Sequence, residues 1–281
     1  MVEQAEKLWL NIIHVQIGVV SVSLPLRPGS DFITLVWFHT HMTTYEVIEE
    51  NVEESGEFHG QAIWRPKYRC QKCSRAIKKS YTKTSGECYY CNNDLTAVGQ
   101  YIDEVYAMTT YISDVEKNEF IEAIYDLKDN LEHISEFANI LEQGFEDYPI
   151  ADAELLVVPP SGTAESSTDN HMIAVAKEVS DRVEIPFRDI IHKREDYASQ
   201  KELGLEERLD NLQGRIGCTE DSIAADKAIV IDDIATSCAT VSATAQALVE
   251  SGVSDVSGLV IARDEDIQSL EFANILAEVE G

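Results

Sequence analysis

Positive charge is what this chain most lacks. It carries 22 Lys and Arg against 51 Asp and Glu, a formal net charge of −29 over 281 residues. Phosphate backbones and anionic lipid repel such a surface, which excludes wholesale coating of DNA or of a membrane. The acid is spread through helix-like segments and not gathered in a tail, as on a solvated surface. That pattern suits a protein kept soluble in high salt, where ions screen self-repulsion, and the composition predicts a halophilic source. Long apolar runs are lacking too. The nearest to a membrane span, "LWLNIIHVQIGVVSVSLPL" (9–27), is interrupted by Asn11, His14 and Gln16. It has no positive leader and no small-residue cleavage site, so it reads as strand and not as signal peptide. The expectation is a cytoplasmic protein with no membrane partner. In that reducing compartment its six cysteines are metal ligands or buried thiols rather than disulfides. Hydrophobic residues make up 44%, enough for one large core or two modest ones.

Residues 1–64 form a β-rich N-terminal segment with no nameable motif. "RPGSD" (27–31) is a turn between strand-like runs at 15–25 and 32–38. His39 and His41, two apart, share a strand face and fit either a metal site or ordinary surface histidines; the second reading is favoured because no third ligand is near in sequence. The next segment, 65–98, reads as a zinc ribbon. Cys70 and Cys73 form one CxxC, Cys88 and Cys91 a second, fourteen residues apart. Each CxxC folds into a knuckle that points two thiolates at one ion, and two knuckles close a tetrahedral structural Zn²⁺ site. The same segment gathers the scarce positive charge: Arg65, Lys67, Arg69, Lys72, Arg75, Lys78, Lys79 and Lys83 fall within nineteen residues without an acid. Two readings fit, contact with nucleic acid or docking on the acidic body of the same chain. Tyr68, Tyr81, Tyr89 and Tyr90 offer stacking faces or form the ribbon's small core.

From Glu116 to Gly144 apolar residues recur at helical steps, with Gly144 as the C-terminal stop. Beyond it, strands and helices alternate. "AELLVVPPSG" (153–162) is a buried strand entering a loop, and "NHMIAVAKEVSDRV" (170–183) its helix. "AIVID" (228–232) is a second strand, "TVSATAQALVESG" its helix with Gly252 at C′, and "VSGLVIAR" (256–263) a third strand. Alternation predicts α/β architecture with a parallel sheet, whose ligands bind beyond the carboxyl ends of the strands. The last segment, 266–281, reads as an amphipathic helix suited to packing or to a homodimer contact.

Asp232 and Asp233 stand at one such carboxyl end. Carboxylates there accept hydrogen bonds from vicinal hydroxyls or hold a divalent cation through water. The loop "ATSCAT" adds backbone N–H groups and the hydroxyls of Thr236, Ser237 and Thr240, then enters a helix N-terminus. Free amides, a favourable dipole and hydroxyl donors make a phosphate cradle. Diol, cation and phosphate together describe a ribose 5-phosphate. Cys238 in this loop reads as a small loop residue, or as a thiol whose pKa falls at a helix start.

The stretch "IVIDDIATSCAT" resembles the signature loop of type I phosphoribosyltransferases, V-D-D-x-x-T-T-G-x-T. The resemblance implies that Asp232 and Asp233 are the catalytic pair on the ribose hydroxyls of phosphoribosyl pyrophosphate. It assigns Ala235, Thr236, Ser237, Cys238, Ala239 and Thr240 to the 5-phosphate. Ser237 stands for threonine and Cys238 for glycine, a position where a Cβ disfavours positive φ. "REDYASQKELGLEERLDNLQGRI" (194–216) is similar to R-x-x-T-x-x-Q-x-x-L-x-x-x-x-R-x-x-N-x-x-G-x-F of the ComF family. Arg194, Gln200, Leu203, Arg208, Asn211 and Gly214 match; Tyr197 and Ile216 depart from it. ComF-like chains also carry a four-cysteine ribbon before the transferase domain, and "IYDLKDN" (124–130) is similar to their intervening lysine-bearing helix. The likeness covers about 68–263 and implies a phosphoribosyltransferase domain over 99–281, with 194–216 as a hood carrying Arg194 and Arg208 over the pyrophosphate. "VVPPSGT" (157–163) would be the pyrophosphate loop, with Pro160 and Ser161 in contact. A basic R-G-F-N-Q segment usual in that family is replaced by "STDNHMI", which retains Asn170. The implied function is binding of phosphoribosyl pyrophosphate with Mg²⁺ and transfer of phosphoribose to a nitrogen base. The alternative is a catalytically weak ligand-sensing module, or one associated with DNA uptake and single strands through the basic ribbon.

Overall fold

Residues Ala228–Ile231 are each 3% exposed or less, as a strand covered on both faces must be. They lie at the centre of a computed structural model that describes residues 12–16, 42–112, 119–161, 170–195, 211–212 and 214–279. In chain order the elements are β1 (Ile12–Gln16), β2 (Met42–Val47), β3 (Val52–Phe58), β4 (Gln61–Pro66), α1 (Tyr89–Asn92), β5 (Val105–Tyr111), α2 (Glu119–Asn130), α3 (Ile134–Asp147), β6 (Leu155–Val157), α4 (His171–Val183), β7 (Ile191–Lys193), β8 (Ile216–Cys218), β9 (Lys227–Ala235), α5 (Ala239–Glu250), β10 (Asp255–Asp264), α6 (Ile267–Phe272) and β11 (Leu276–Val279). The expected α/β class holds: β5, β10, β9 and β6 pair in that order, all parallel.

Strand alternation divides the core in two. Leu155, Val157, Ala228, Val230 and Val260 pack on one side with α5 and the four paired cysteines. Leu156, Ile229, Ile231, Leu259 and Ile261 pack on the other with α2, α3, α4 and the β3–β4 hairpin. The first CxxC knuckle covers the edge of the sheet. Val105 donates its N–H to Lys72 O at 2.7 Å, and Ser74 Oγ donates to Val105 O at 2.9 Å while accepting from Ala107 N at 3.1 Å. An otherwise unpaired strand edge is thereby satisfied.

Three local expectations are corrected. The helix expected over 116–144 is two helices, separated by Leu131 and His133 at φ of 58° and 61°. Gly144 does not end a helix. It lies inside α3, where a Cβ would meet Leu259 Cδ1 at 2.8 Å, so the glycine lets the helix approach the sheet. The C-terminal helix expected over 266–281 is a short α6 followed by β11, which pairs antiparallel with β2; β1 completes that sheet. The turn at 27–31, residues 17–25 and 32–38 of its flanking runs, His39 and His41, and most of the stretch 194–216 lie outside the described residues; Val15 and Gln16 end β1. Among the described residues no helix is long and apolar enough to cross a membrane.

Candidate phosphate-binding cleft and cysteine centre

The alternation of β9 runs on into the acidic pair. Asp232 falls in step with Ala228 and Val230, Asp233 with Ile229 and Ile231, so the two carboxylates leave the sheet on opposite sides. Asp232 lines a cleft of about 100 Å³ together with residues 234–241. This is the loop between the carboxyl end of a central strand and the first turn of α5, where helical N–H groups lack partners within the helix. Ser237 Oγ accepts from Ala239 N at 3.3 Å, and Thr236 Oγ1 donates to Asp264 Oδ2 at 2.9 Å.

Asp233 is held on the other side. Lys128 Nζ from α2 donates to its Oδ2 at 2.7 Å, and His171 Nε2, the first residue of α4, lies 3.0 Å from the same oxygen. Its Oδ1 accepts from Ile234 N at 2.6 Å. Burial alone would raise its pKa, but the His171 hydrogen bond and the Lys128 charge hold it below the ordinary carboxylate range. Asp232 moves the other way: burial, then the neighbouring Asp233 charge, push it up.

Beneath the loop lies a buried guanidinium. Arg263, 1% exposed, donates from Nη1 to Cys238 Sγ at 2.9 Å and from Nη2 to Thr236 O at 2.6 Å. Arg75 reaches the same carbonyl at 3.4 Å and pairs with Glu265 at 2.8 Å; Ala76 N donates to the other Glu265 oxygen at 2.8 Å. Burial raises Glu265 to about 7, against the pull of Arg75 and Arg263. Cys238 adopts φ 62°, the left-handed conformation that the family's glycine would take freely, with its side chain 3% exposed against Arg263. Burial pushes its thiol up, so it is not the activated thiol that its place at a helix start suggests.

The other expected contacts divide. Pro160 and Ser161 follow β6, the parallel neighbour of β9, so their loop leaves the sheet beside the cleft. Asn170 ties it to α4, donating to Pro159 O at 2.8 Å and accepting from Met172 N at 3.0 Å. Arg194 is not brought to the cleft. Its Nη2 donates to Glu250 Oε2 at 3.1 Å, at the end of α5 opposite the loop. Arg208 lies outside the described residues. Sequence reasoning missed His171, Arg263 and Glu265. The one signal for His171 was its place at a helix start beside a strand-end loop; for Arg263, a lone cation closing an apolar strand.

Cys70, Cys73, Cys88 and Cys91 are all 3% exposed or less, with sulfurs within 4.8 Å of one another and Cys73 and Cys88 at 3.6 Å. Zn–S bonds of about 2.3 Å place tetrahedral sulfurs about 3.8 Å apart, so the donor set fits Zn²⁺. Hydrogen bonds from Cys73, then Cys88 and Cys91, pull the Cys70 thiol down, whereas sharing with Cys70 and Cys73 pushes Cys88 up. Four such groups ionise together only around a cation. The surrounding basic residues turn largely to their own chain. Arg65 and Arg69 pair with Glu53, Lys72 with Glu87 and Arg75 with Glu265. Lys78 lies 3.9 Å over the Phe272 ring and Lys79 5.4 Å over Tyr68. Arg65, Arg69 and Arg75 thus pair with acids outside the segment 65–98, whereas Glu87 and Tyr68 belong to that segment itself. Tyr68, Tyr81 and Tyr90 pack against the core, and Tyr89 is 66% exposed.

No family model matches the chain, and none of the curated proteins matches it, so the likeness to the ComF family rests on the motifs alone. Solved structures do match. The chain is similar to adenine phosphoribosyl transferase from Trypanosoma brucei, crystallised with AMP, pyrophosphate and ribose-5-phosphate: 12% identity, TM-score 0.31, over 50% of this chain and 68% of that one. It is also similar to orotate phosphoribosyltransferase from Aeropyrum pernix: 15% identity, TM-score 0.29, over 57% of this chain and 83% of that one.

Proposed function

We propose that the cleft at the end of β9 binds phosphoribosyl pyrophosphate with its Mg²⁺, and that the protein transfers phosphoribose to a nitrogen base. One observation carries the reading: Asp232 and the loop 235–240 line a single cleft where a central parallel strand meets a helix N-terminus. The 5-phosphate sits against the amides of residues 236–240 and the hydroxyls of Ser237 and Thr240. Asp232 accepts from the ribose hydroxyls. Lys128, held by Asp233, gives the far side of the site a positive charge for the pyrophosphate, and His171 stands beside it on the same carboxylate oxygen. Pro160 and Ser161, just beyond the end of β6, would contact the pyrophosphate from the strand beside β9.

In the reaction the C1–oxygen bond to pyrophosphate breaks and a bond from C1 to the incoming nitrogen forms; the pyrophosphate leaves with the electron pair. The oxocarbenium-like transition state needs positioning and neutralisation of the leaving group more than a general base. Mg²⁺ supplies part of that neutralisation and arrives with the substrate. A sensor that binds without turnover is the second reading. It is favoured by Cys238, whose Cβ stands where the signature loop has glycine.

Calorimetric titration with phosphoribosyl pyrophosphate and Mg²⁺ tests the site. The wild type binds and the Asp232→Asn, Asp233→Asn double variant does not. Equal binding by both would refute the assignment. Pyrophosphate release on adding nitrogen bases then separates transferase from sensor.

A further inference from the structure

Outside the cleft, two histidines distant in sequence meet on the helical side of the sheet. His59 is in the turn between β3 and β4, and His133 immediately precedes α3. Together with Glu136 in the first turn of α3 they present ligand atoms that all lie within 4.8 Å of one another. His59 Nε2 is 3.5 Å from Glu136 Oε1. Ligands about 2.0–2.1 Å from a tetrahedral metal stand about 3.3 Å apart, so small rotamer changes close the set.

The other nitrogen of His59 is already engaged as a metal-bound imidazole requires. Nδ1 is 2.7 Å from Glu119 Oε1, which fixes the ring and leaves Nε2 facing Glu136. A carboxylate on the far nitrogen is the usual partner of a ligating histidine. The Phe58 ring stacks against His59 with centroids 4.2 Å apart and meets His133 edge-on at 5.7 Å. Asp126 and Glu132 lie within the same reach of His133 and bring further negative charge. Both histidines adopt positive φ, 50° and 61°, a backbone cost that persists only where the surroundings over-determine it. The His59 side chain is 34% exposed, so the group opens to solvent.

We infer that His59, His133 and Glu136 form a second metal site, separate from the four cysteines, that takes a borderline dication of the Zn²⁺, Ni²⁺ or Cu²⁺ type. Two imidazoles and a carboxylate suit these ions and not Mg²⁺ or Ca²⁺, which favour all-oxygen shells. Bound there, the ion joins the β3–β4 turn to the start of α3. Glu119 is a positioning residue and acts through His59.

The test uses the full chain with its cysteine centre already loaded with zinc, and Ni²⁺ as the probe in calorimetry. The wild type takes up one Ni²⁺ per chain beyond the zinc. His59→Asn and His133→Asn each weaken that binding at least about tenfold, and Glu119→Gln weakens it about 10–100-fold. Asparagine tolerates the left-handed backbone at both histidine positions, so the metal-free Tm stays near that of the wild type. Cu²⁺ bound to the zinc-loaded wild type shows nitrogen hyperfine coupling from two imidazoles, a readout that needs no variant. Absence of a further Ni²⁺ in the wild type, or unchanged affinity in both histidine variants, overturns the assignment.

Discussion

Arg263 Nη1 lies 2.9 Å from Cys238 Sγ, and the same guanidinium donates to Thr236 O at 2.6 Å. A fully buried cation thus grips both the carbonyl at the start of the candidate phosphate loop and the residue that enters α5. The left-handed φ of Cys238 costs about 1–2 kcal/mol for an L residue. Its contact with Arg263 helps to hold that conformation, so the loop's shape rests on a side chain that no phosphate would touch.

Arg263→Met is therefore expected to destabilise the protein by about 3–5 kcal/mol, because it strips the Thr236 carbonyl and the buried Cys238 sulfur of their Arg263 donor and leaves Glu265 with Arg75 and the Ala76 amide. Arg263→Lys should fall between the two, since an ammonium lacks the planar fork that reaches the Thr236 carbonyl and the Cys238 sulfur together. Urea midpoints with unchanged m-values check both.

The ion pair next to it makes a sharper contrast. The Glu265 side chain is fully buried and that of Arg75 is 12% exposed. Arg75→Met leaves a buried carboxylate short of its main partner and should cost about 3 kcal/mol. Glu265→Gln keeps an acceptor for Ala76 N and should cost only about 1 kcal/mol. Equal losses in thermal unfolding would contradict this description of the pair.

Asp232 gives a pH dependence. Its folded pKa rises from 3.8 up to about 8, through burial first and the Asp233 charge second. Between those values the folded state binds a proton that the unfolded state has released, so this group lowers stability as pH rises. Asp232→Asn removes that penalty. Unfolding curves should show the variant gaining on the wild type as pH rises from 4 toward 8, even as it loses affinity for phosphoribosyl pyrophosphate. A stability difference that does not change across the window would show that Asp232 ionises freely.

The cysteine centre shares its core with the sheet: Cys70 and Cys73 pack in the same cluster as Val105, Val230 and Cys238. If the cysteines hold zinc, as their geometry fits, removing it with a chelator, like Cys91→Ser, should accordingly lower one cooperative transition. Two separate transitions would mean that the ribbon unfolds alone.

The strand, loop and helix around Asp232 were legible in the sequence because their signals are local: an unbroken apolar run, hydroxylated loop residues and an apolar helix. The cysteine centre was legible through its spacing. Even the divergence of Asp232 and Asp233 follows from strand alternation. What pairs with Asp233 did not, since His171 comes 62 residues earlier in the chain. Nor did the meeting of Arg75 with Glu265 across 190 residues. The break between α2 and α3 carries neither glycine nor proline, only Leu131 and His133 in left-handed conformations. The end of the chain follows a helical pattern over 267–272 and then pairs Leu276–Val279 with a strand more than two hundred residues away in sequence, where tertiary pairing overrides local pattern.

Amide hydrogen exchange with and without phosphoribosyl pyrophosphate and Mg²⁺ tests the central claim most directly. The account predicts that the ligand slows exchange at residues 236–240, the amides that would cradle the 5-phosphate, and that Asp232→Asn abolishes the effect. Unchanged exchange in the loop, or protection confined to the basic segment 65–83, would contradict it.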